Sequence, residues 1–125
     1  MKGLRILLFS ALLAAQVEPI AQVRATGNDL LRMCANASKI GNLSGKDVDE
    51  ATYCLGYVLG LSQGLEIGQR IAGDTQTVAC APRAATAGQL ALVIEKWLRE
   101  NPTRLHESAV ILASSALRDS FPCPR

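Results

Sequence analysis

The sequence predicts an all-α fold, a small four-helix domain stapled by two disulfides after an N-terminal signal peptide. Apolar residues recur every three or four positions, which is the period of one buried helical face, and no useful stretch alternates as a strand would. The four cysteines are an even number in a short chain that begins with a secretory leader. Such a count is typical of a disulfide framework.

The leader is read from its charge and apolar pattern. Two basic residues, Lys2 and Arg5, precede an apolar run at residues 6–15. That run is shorter than the about 20 apolar residues that a membrane-spanning helix needs. Signal peptides are cleaved after a pattern of small residues, which favours cleavage after Ala25, with cleavage after Ala15 as the weaker alternative. The chain is therefore expected to be exported, with residues 1–25 removed.

The remaining domain, residues 26–125, is expected to carry no net charge. Its ten basic and ten acidic residues balance, because the basic excess of the full chain lies in the leader. A protein that binds nucleic acid or an anionic membrane surface needs a basic excess to neutralise phosphates. We therefore expect neither nucleic acid nor, after signal cleavage, a membrane as partner.

Capping residues delimit the first two helices. Asn28 or Asp29 can cap the first, which is expected to end near residue 37 before a loop over residues 38–45. Ser44 begins the second helix with a capping-box-like pattern, and that helix is expected to end near residue 71. Helices three and four are expected over residues 87–100 and 107–120, since a proline follows each closely.

The second helix contains a glycine at every fourth position. The four positions are Gly56, Gly60, Gly64 and Gly68. Each glycine costs a helix interior about 0.5–1 kcal/mol relative to alanine, so some other interaction must offset the loss. The expectation is a groove that lets another helix pack closely, and the alternative is a surface reserved for a partner.

The four cysteines are Cys34, Cys54, Cys80 and Cys123. The distance that the chain between two cysteines can span limits which of them can form a disulfide. Cys54 lies about 17 residues before the expected end of its helix, or roughly 25 Å along the axis. The nine residue steps that return to Cys80 barely span that distance at about 3.3–3.6 Å each. Cys54–Cys80 is therefore disfavoured, and the natural pairing is Cys34–Cys54 with Cys80–Cys123.

Catalytic equipment is not apparent in the sequence. His106 is the only imidazole, and its charged neighbours favour a solvated turn residue over a general base. Disulfide-bonded cysteines offer no thiolate, and no phosphate loop, dinucleotide fingerprint or zinc motif occurs. We expect a binding protein that is not an enzyme and that needs no cofactor or metal.

Several short motifs follow one another in a recognisable order. They include Gly27-Asn28-Asp29-Leu30-Leu31, Cys54-Leu55-Gly56-Tyr57-Val58-Leu59-Gly60, Cys80-Ala81-Pro82, Trp97-Leu98 and Phe121-Pro122-Cys123. In the order of these motifs, the chain resembles the Rap/Tai family. The members of that family are small periplasmic immunity proteins that neutralise the peptidoglycan amidases of type VI secretion systems. The resemblance covers nearly all of residues 26–125 and implies an immunity domain located in the periplasm.

One position departs from the family pattern. The family often has an acidic residue and then alanine shortly after the second glycine of the Cys54–Gly60 block, where this chain has Gln63 and Gly64. If the acidic residue contacts a particular amidase, this chain meets a different one or none.

Two alternative functions compete with the immunity function: a periplasmic helical chaperone or stress protein, and a component of an envelope complex.

Four residues are the candidate partner contacts. A plug that enters an amidase cleft is expected from the polar loop over residues 40–45, which contains Asn42 and Ser44. Gly60 and Gln63 are the candidates on the second helix. The alternative for the loop is an ordinary connector whose Ser44 only caps the helix. A homodimer is the other partner arrangement that we consider.

Overall fold

The computed structural model of this protein describes residues 25–73 and 78–124. Four α-helices run in the order α1 (Gly27–Cys34), α2 (Lys46–Ala72), α3 (Ala87–Glu100) and α4 (Ala109–Ser120). Two 3₁₀ helices, Ala37–Asn42 and Pro102–Arg104, lie between them. The described part of the chain has no strand, only an isolated bridge between Thr26 and Ser108. The predicted four-helix, all-α fold is confirmed.

The predicted signal peptide lies outside the described residues, apart from Ala25, so the leader and its cleavage stay predictions. Within the described ranges, none of the helices combines the length and apolar character that crossing a membrane requires.

The start of α1 differs from the expectation. Thr26 is the cap, and its hydroxyl accepts a hydrogen bond from the Asp29 amide at 3.4 Å while the Asp29 carboxylate accepts one from the Thr26 amide at 2.9 Å. The predicted cap at Asn28 or Asp29 is therefore wrong by two or three positions, because Asp29 serves as the third residue of a capping box. Gly27 follows the cap, where a Cβ would lie 2.4 Å from Leu112 Cδ1 and 3.0 Å from the Leu105 backbone.

The segment after α1 is more ordered than predicted. The helix ends at Cys34 instead of near residue 37, and residues 37–42, expected mostly as loop, form the first 3₁₀ helix. Ala37 is 4 % exposed and anchors this 3₁₀ helix in the core. The chain then extends through Leu43 and turns at Gly45, which has a φ of 58°.

The cap of α2 is Gly45, and no side chain bonds to the first turn. The predicted cap at Ser44 is therefore wrong, although the helix begins within two residues of that position. Acidic residues Asp47 and Asp49 in the first turn complement the positive end of the helix dipole. The helix ends at Gly73, which adopts the left-handed conformation with a φ of 70° and donates its N–H to Gln69 O.

Helix α3 has the predicted boundaries, and α4 begins two residues later than expected. A capping box holds the start of α3, in which Thr86 Oγ1 accepts from the Gln89 amide at 3.2 Å and Gln89 Oε1 accepts from the Thr86 amide at 2.9 Å. The delay of α4 arises because the Glu107 N–H donates to Arg104 O in the turn that follows α3.

The core lies where all four helices meet. Its largest fully buried side chains are those of Leu30, Ile94, Leu98, Leu112, Leu117 and Val58, together with Cys34 and Cys54. Trp97 closes one side of the core, since its indole N–H donates to Asp119 at 3.0 Å and the Arg104 guanidinium lies 5.2 Å above its ring. These contacts join α3 to the turn after it and to α4.

Both predicted disulfides are present. Cys34–Cys54 joins α1 to α2 with a Cα–Cα distance of 5.1 Å. Cys80–Cys123 joins the segment before α3 to the end of the chain, with a Cα–Cα distance of 5.0 Å. Bridges of this kind stabilise a domain by about 2–4 kcal/mol each, a large contribution for a core of this size.

Candidate partner-binding site

The structure separates the four candidate residues into two surfaces. Asn42 and Ser44 lie at the foot of α2, and Gly60 and Gln63 lie on the helix itself; all four are exposed. Gly60 is 14 residues beyond Lys46, the first residue of α2, which corresponds to about 21 Å along the helix axis. The two pairs therefore do not form one compact site.

The first surface is the exposed segment at residues 41–45, which we call the polar tip. Its base is the first 3₁₀ helix, which leads into it. A Cβ built at Gly41 or at Gly45 would meet no atom within 4 Å, so the glycines beside Asn42 and Ser44 face open space. The base of the tip is fixed by buried Ala37. The Cys34–Cys54 bridge additionally ties together the two helices that flank it. Small polar side chains are therefore exposed on a segment whose two flanking helices are covalently joined.

Ion pairs hold the same region together from the side. Glu50 on α2 pairs with Arg32 on α1 and with Lys46 at 3.5 Å. Arg32 also lies 3.7 Å from Asp29. Because these pairs are largely exposed, each contributes little to stability, typically about 0–1 kcal/mol. Of these pairs, Arg32–Glu50 is the one that links α1 to α2.

The second surface is the outward face of α2. All four glycines of the helix are exposed, and a Cβ at Gly56, Gly60, Gly64 or Gly68 would meet no atom within 4 Å. The expectation that the glycines pack against another helix is therefore wrong. The helix is rotated so that the glycines face solvent, beside the exposed side chains of Tyr53 and Ile67, which are 55 % and 57 % exposed.

Gln63 also borders a cleft of about 700 Å³ between the C-terminal half of α2 and the segment at residues 79–85. Leu90 and Leu117 form its apolar floor, and the charged residues at its edge are Glu66, Arg70 and Arg83. These lining residues are shared by α2, the segment before α3, α3 and α4.

Defined hydrogen bonds hold the segment at residues 79–85 beside α2 and the chain end. The Gln69 side-chain amide donates to Ala79 O at 3.0 Å, and the Cys80 N–H donates to Phe121 O at 2.8 Å. On the α2 side, Arg70 donates to Glu66 at 2.6 Å. That hydrogen bond is the main reason why the pKa of the Glu66 carboxyl is lowered, and Arg83 across the cleft adds a smaller effect in the same direction.

All four cysteines are disulfide-bonded. The described residues contain no group of three or more histidine, cysteine, aspartate or glutamate side chains that could hold a metal ion. His106 is exposed in the turn before α4, next to Glu107, which pairs with Arg104.

Sequence reasoning did not find the cleft or Arg83. The cleft forms because the segment at residues 79–85 returns against α2, and no local pattern encodes that approach. The only available signal was the cysteine pairing, since Cys80–Cys123 fixes where the segment lies. Arg83 has no distinguishing neighbour in the sequence and acquires its position only through this fold.

Comparison with known proteins gives a match to a family model. No curated protein and no solved structure matches the chain. The family model of the Rap1a immunity proteins, however, matches residues 26–123, which includes the polar tip, α2 and both disulfides. The chain therefore belongs to the family of Rap1a immunity proteins.

Proposed function

We propose that this immunity protein binds a type VI secretion peptidoglycan amidase in the periplasm and occludes its active site. It acts stoichiometrically and without turnover. Membership of the immunity family supports a protein effector as the partner. The observation that carries the occlusion mechanism is the exposed polar tip with Asn42 and Ser44, which lies beside a base that a buried disulfide braces.

The tip suits entry into an enzyme cleft for two physical reasons. Its side chains are small and polar, so the Asn42 amide and the Ser44 hydroxyl can donate and accept hydrogen bonds with a catalytic cysteine or histidine. Its base is already ordered by Ala37, which is 4 % exposed, and by Cys34–Cys54. A pre-ordered projection loses less conformational entropy on binding than a flexible loop.

The matched substitutions Asn42→Trp and Thr103→Trp test this mechanism. Both sites are exposed, so the bulky ring should leave folding unchanged at either position. We expect Asn42→Trp to weaken inhibition of the cognate amidase at least about tenfold, since a ring at the tip blocks entry to a cleft, whereas Thr103→Trp should inhibit like the natural protein. The measurement is release of soluble peptide from peptidoglycan.

Equal inhibition by Asn42→Trp and the natural protein would show that the tip is not the plug. If no secreted amidase binds at all, the amidase proposal is wrong and a role as a component of an envelope complex replaces it.

The outward face of α2 supports a second protein contact, for which we propose a homodimer. Four helical glycines lower stability without any packing contact in return. Beside them Ile71 is 82 % exposed. Features that cost stability in the folded monomer are expected where a protein meets a partner. Sedimentation velocity of the natural protein over a wide concentration range reports this association.

A further inference from the structure

We propose that the Cys80–Cys123 disulfide is a thiol–disulfide exchange site that a dithiol opens selectively, while Cys34–Cys54 is closed to exchange. Opening releases the segment that forms one wall of the cleft beside α2 and leaves the helical core folded. This inference is independent of which effector the protein binds.

The first observation is the contrast in burial between the two bridges. Cys34 is 1 % exposed and Cys54 is 0 % exposed, so both belong to the hydrophobic core. Cys80 is exposed, and Cys123 is half-buried close to the end of the chain. Exchange requires a thiolate to reach a disulfide sulfur, so access alone favours the Cys80–Cys123 bridge.

The second observation is the charge around Cys80. Cys80 lines the cleft together with two basic residues, Arg70 and Arg83, and one acidic residue, Glu66. Because Arg70 already pairs with Glu66 at 2.6 Å, the cleft edge retains an excess of one positive charge, which Arg83 carries. A positive surrounding attracts an incoming thiolate towards Cys80 and stabilises Cys80 as the thiolate that leaves in the second step.

The exchange proceeds in two balanced steps. One thiolate of the dithiol attacks the Cys80 sulfur, the Cys80–Cys123 bond breaks, and Cys123 leaves as a thiolate. The second thiolate of the dithiol then attacks its partner sulfur in the mixed disulfide, which releases Cys80 as a thiolate. Two electrons pass from the dithiol to the cystine, the dithiol becomes a disulfide, and the cysteine thiolates take up protons.

The structural consequence is confined to the cleft wall. Without the bridge, two hydrogen bonds still connect this wall to α2 and to the chain end, those of Gln69 with Ala79 and of Cys80 with Phe121. The small side chains of Ala79, Ala81 and Ala85 also pack, partly buried, against the core. Neither Cys80 nor Cys123 belongs to the buried core cluster, which joins the four helices through residues such as Ile94 and Leu112. The Cys34–Cys54 bridge continues to hold α1 to α2.

Graded reduction of the purified, oxidised protein with dithiothreitol tests the proposal. Samples are alkylated at successive times and the modified cysteines are located by peptide mapping. We expect Cys80 and Cys123 to be modified at least about tenfold faster than Cys34 and Cys54. In guanidinium chloride, where burial is lost, the two bridges should open at similar rates, which shows that the selectivity comes from the fold.

The double variant Cys80→Ser/Cys123→Ser tests the confinement of the effect. It should keep the helical circular dichroism of the natural protein and an intact Cys34–Cys54 bridge, with faster amide hydrogen exchange over residues 78–85. The proposal is overturned if the two bridges of the folded protein open at the same rate, if Cys34–Cys54 opens first, or if the double variant loses its helical signal.

Discussion

Gly60 has an unusual position for a helical residue, because it weakens α2 and makes no close contact in return. A Cβ at this position would meet no atom within 4 Å. We therefore expect Gly60→Leu to leave the free energy of unfolding unchanged or to raise it by up to about 0.5–1 kcal/mol, since leucine favours the helix more than glycine does. Denaturation by urea, followed by circular dichroism, measures the change.

The same variant should lose the proposed homodimer, because leucine fills the surface that would allow close approach of a second helix. Gly27→Ala is the control, since its Cβ would lie 2.4 Å from Leu112 Cδ1, and it should destabilise the fold. A loss of stability in Gly60→Leu would mean that another part of the chain covers the glycines.

Asp29 carries a predictable dependence of stability on pH. Hydrogen bonds from the Thr26 amide and hydroxyl lower the pKa of its carboxyl, with smaller contributions from Arg32. A carboxyl with a lowered folded-state pKa stabilises the fold above its unfolded pKa of about 3.9, and this contribution disappears as the pH falls through the lower folded-state value. Asp29→Asn should therefore lose less stability than the natural protein between pH 5 and about pH 2.

Urea denaturation of both proteins at several pH values across that window measures the difference. Because Glu66 and Glu107 also have lowered pKa values, part of the acid sensitivity should persist in Asp29→Asn. Identical acid sensitivity in the two proteins would contradict the assigned role of Asp29.

At the scale of the helix, the two capping positions Thr86 and Ser44 make a direct comparison. Thr86 accepts a hydrogen bond from the Gln89 amide at the start of α3, whereas α2 begins at Gly45 with no side-chain cap. Thr86→Ala should lower the free energy of unfolding by about 0.5–2 kcal/mol, and Ser44→Ala should have little effect. Equal losses in thermal or chemical denaturation would contradict this assignment of the caps.

The helix boundaries could be predicted from the sequence more accurately for some helices than for others, for physical reasons. Helix α3 was predicted with its full boundaries because Asn101-Pro102 stops it sharply. The cap of α1 was misplaced because Thr26, Asn28 and Asp29 are all good capping residues, and the choice depends on which pair closes a capping box. The spacing of Thr26 and Asp29 contained that information in the sequence.

The orientation of α2 could not be predicted from the sequence. Its apolar residues lie on more than one side, so periodicity did not show which face the core would cover. As a result the glycines were expected to pack and are instead exposed. Asn42 and Ser44 were correctly expected to lie near the foot of the helix, but their separation from Gly60 emerges only when the helix is seen as a continuous element of 27 residues.

At the scale of the whole molecule, two disulfides hold the helices that carry the surfaces proposed to bind protein. One disulfide lies in the core and braces the polar tip, and the other holds the cleft wall at the opposite end of α2. The domain after the expected leader has balanced charge, so its affinity for a partner should arise from shape and hydrogen bonds more than from long-range attraction. Both features favour a protein that acts by binding.

Titration of a fixed amount of the cognate amidase with this protein tests the central proposal most directly. Residual peptidoglycan hydrolysis is measured against the molar ratio of the two proteins, at concentrations well above their dissociation constant. Stoichiometric occlusion predicts a linear fall in activity that ends at equal numbers of the two chains, with both proteins recovered intact. Undiminished hydrolysis at a large excess of this protein, or loss of activity with cleavage of the amidase at substoichiometric ratios, would contradict a non-enzymatic immunity function.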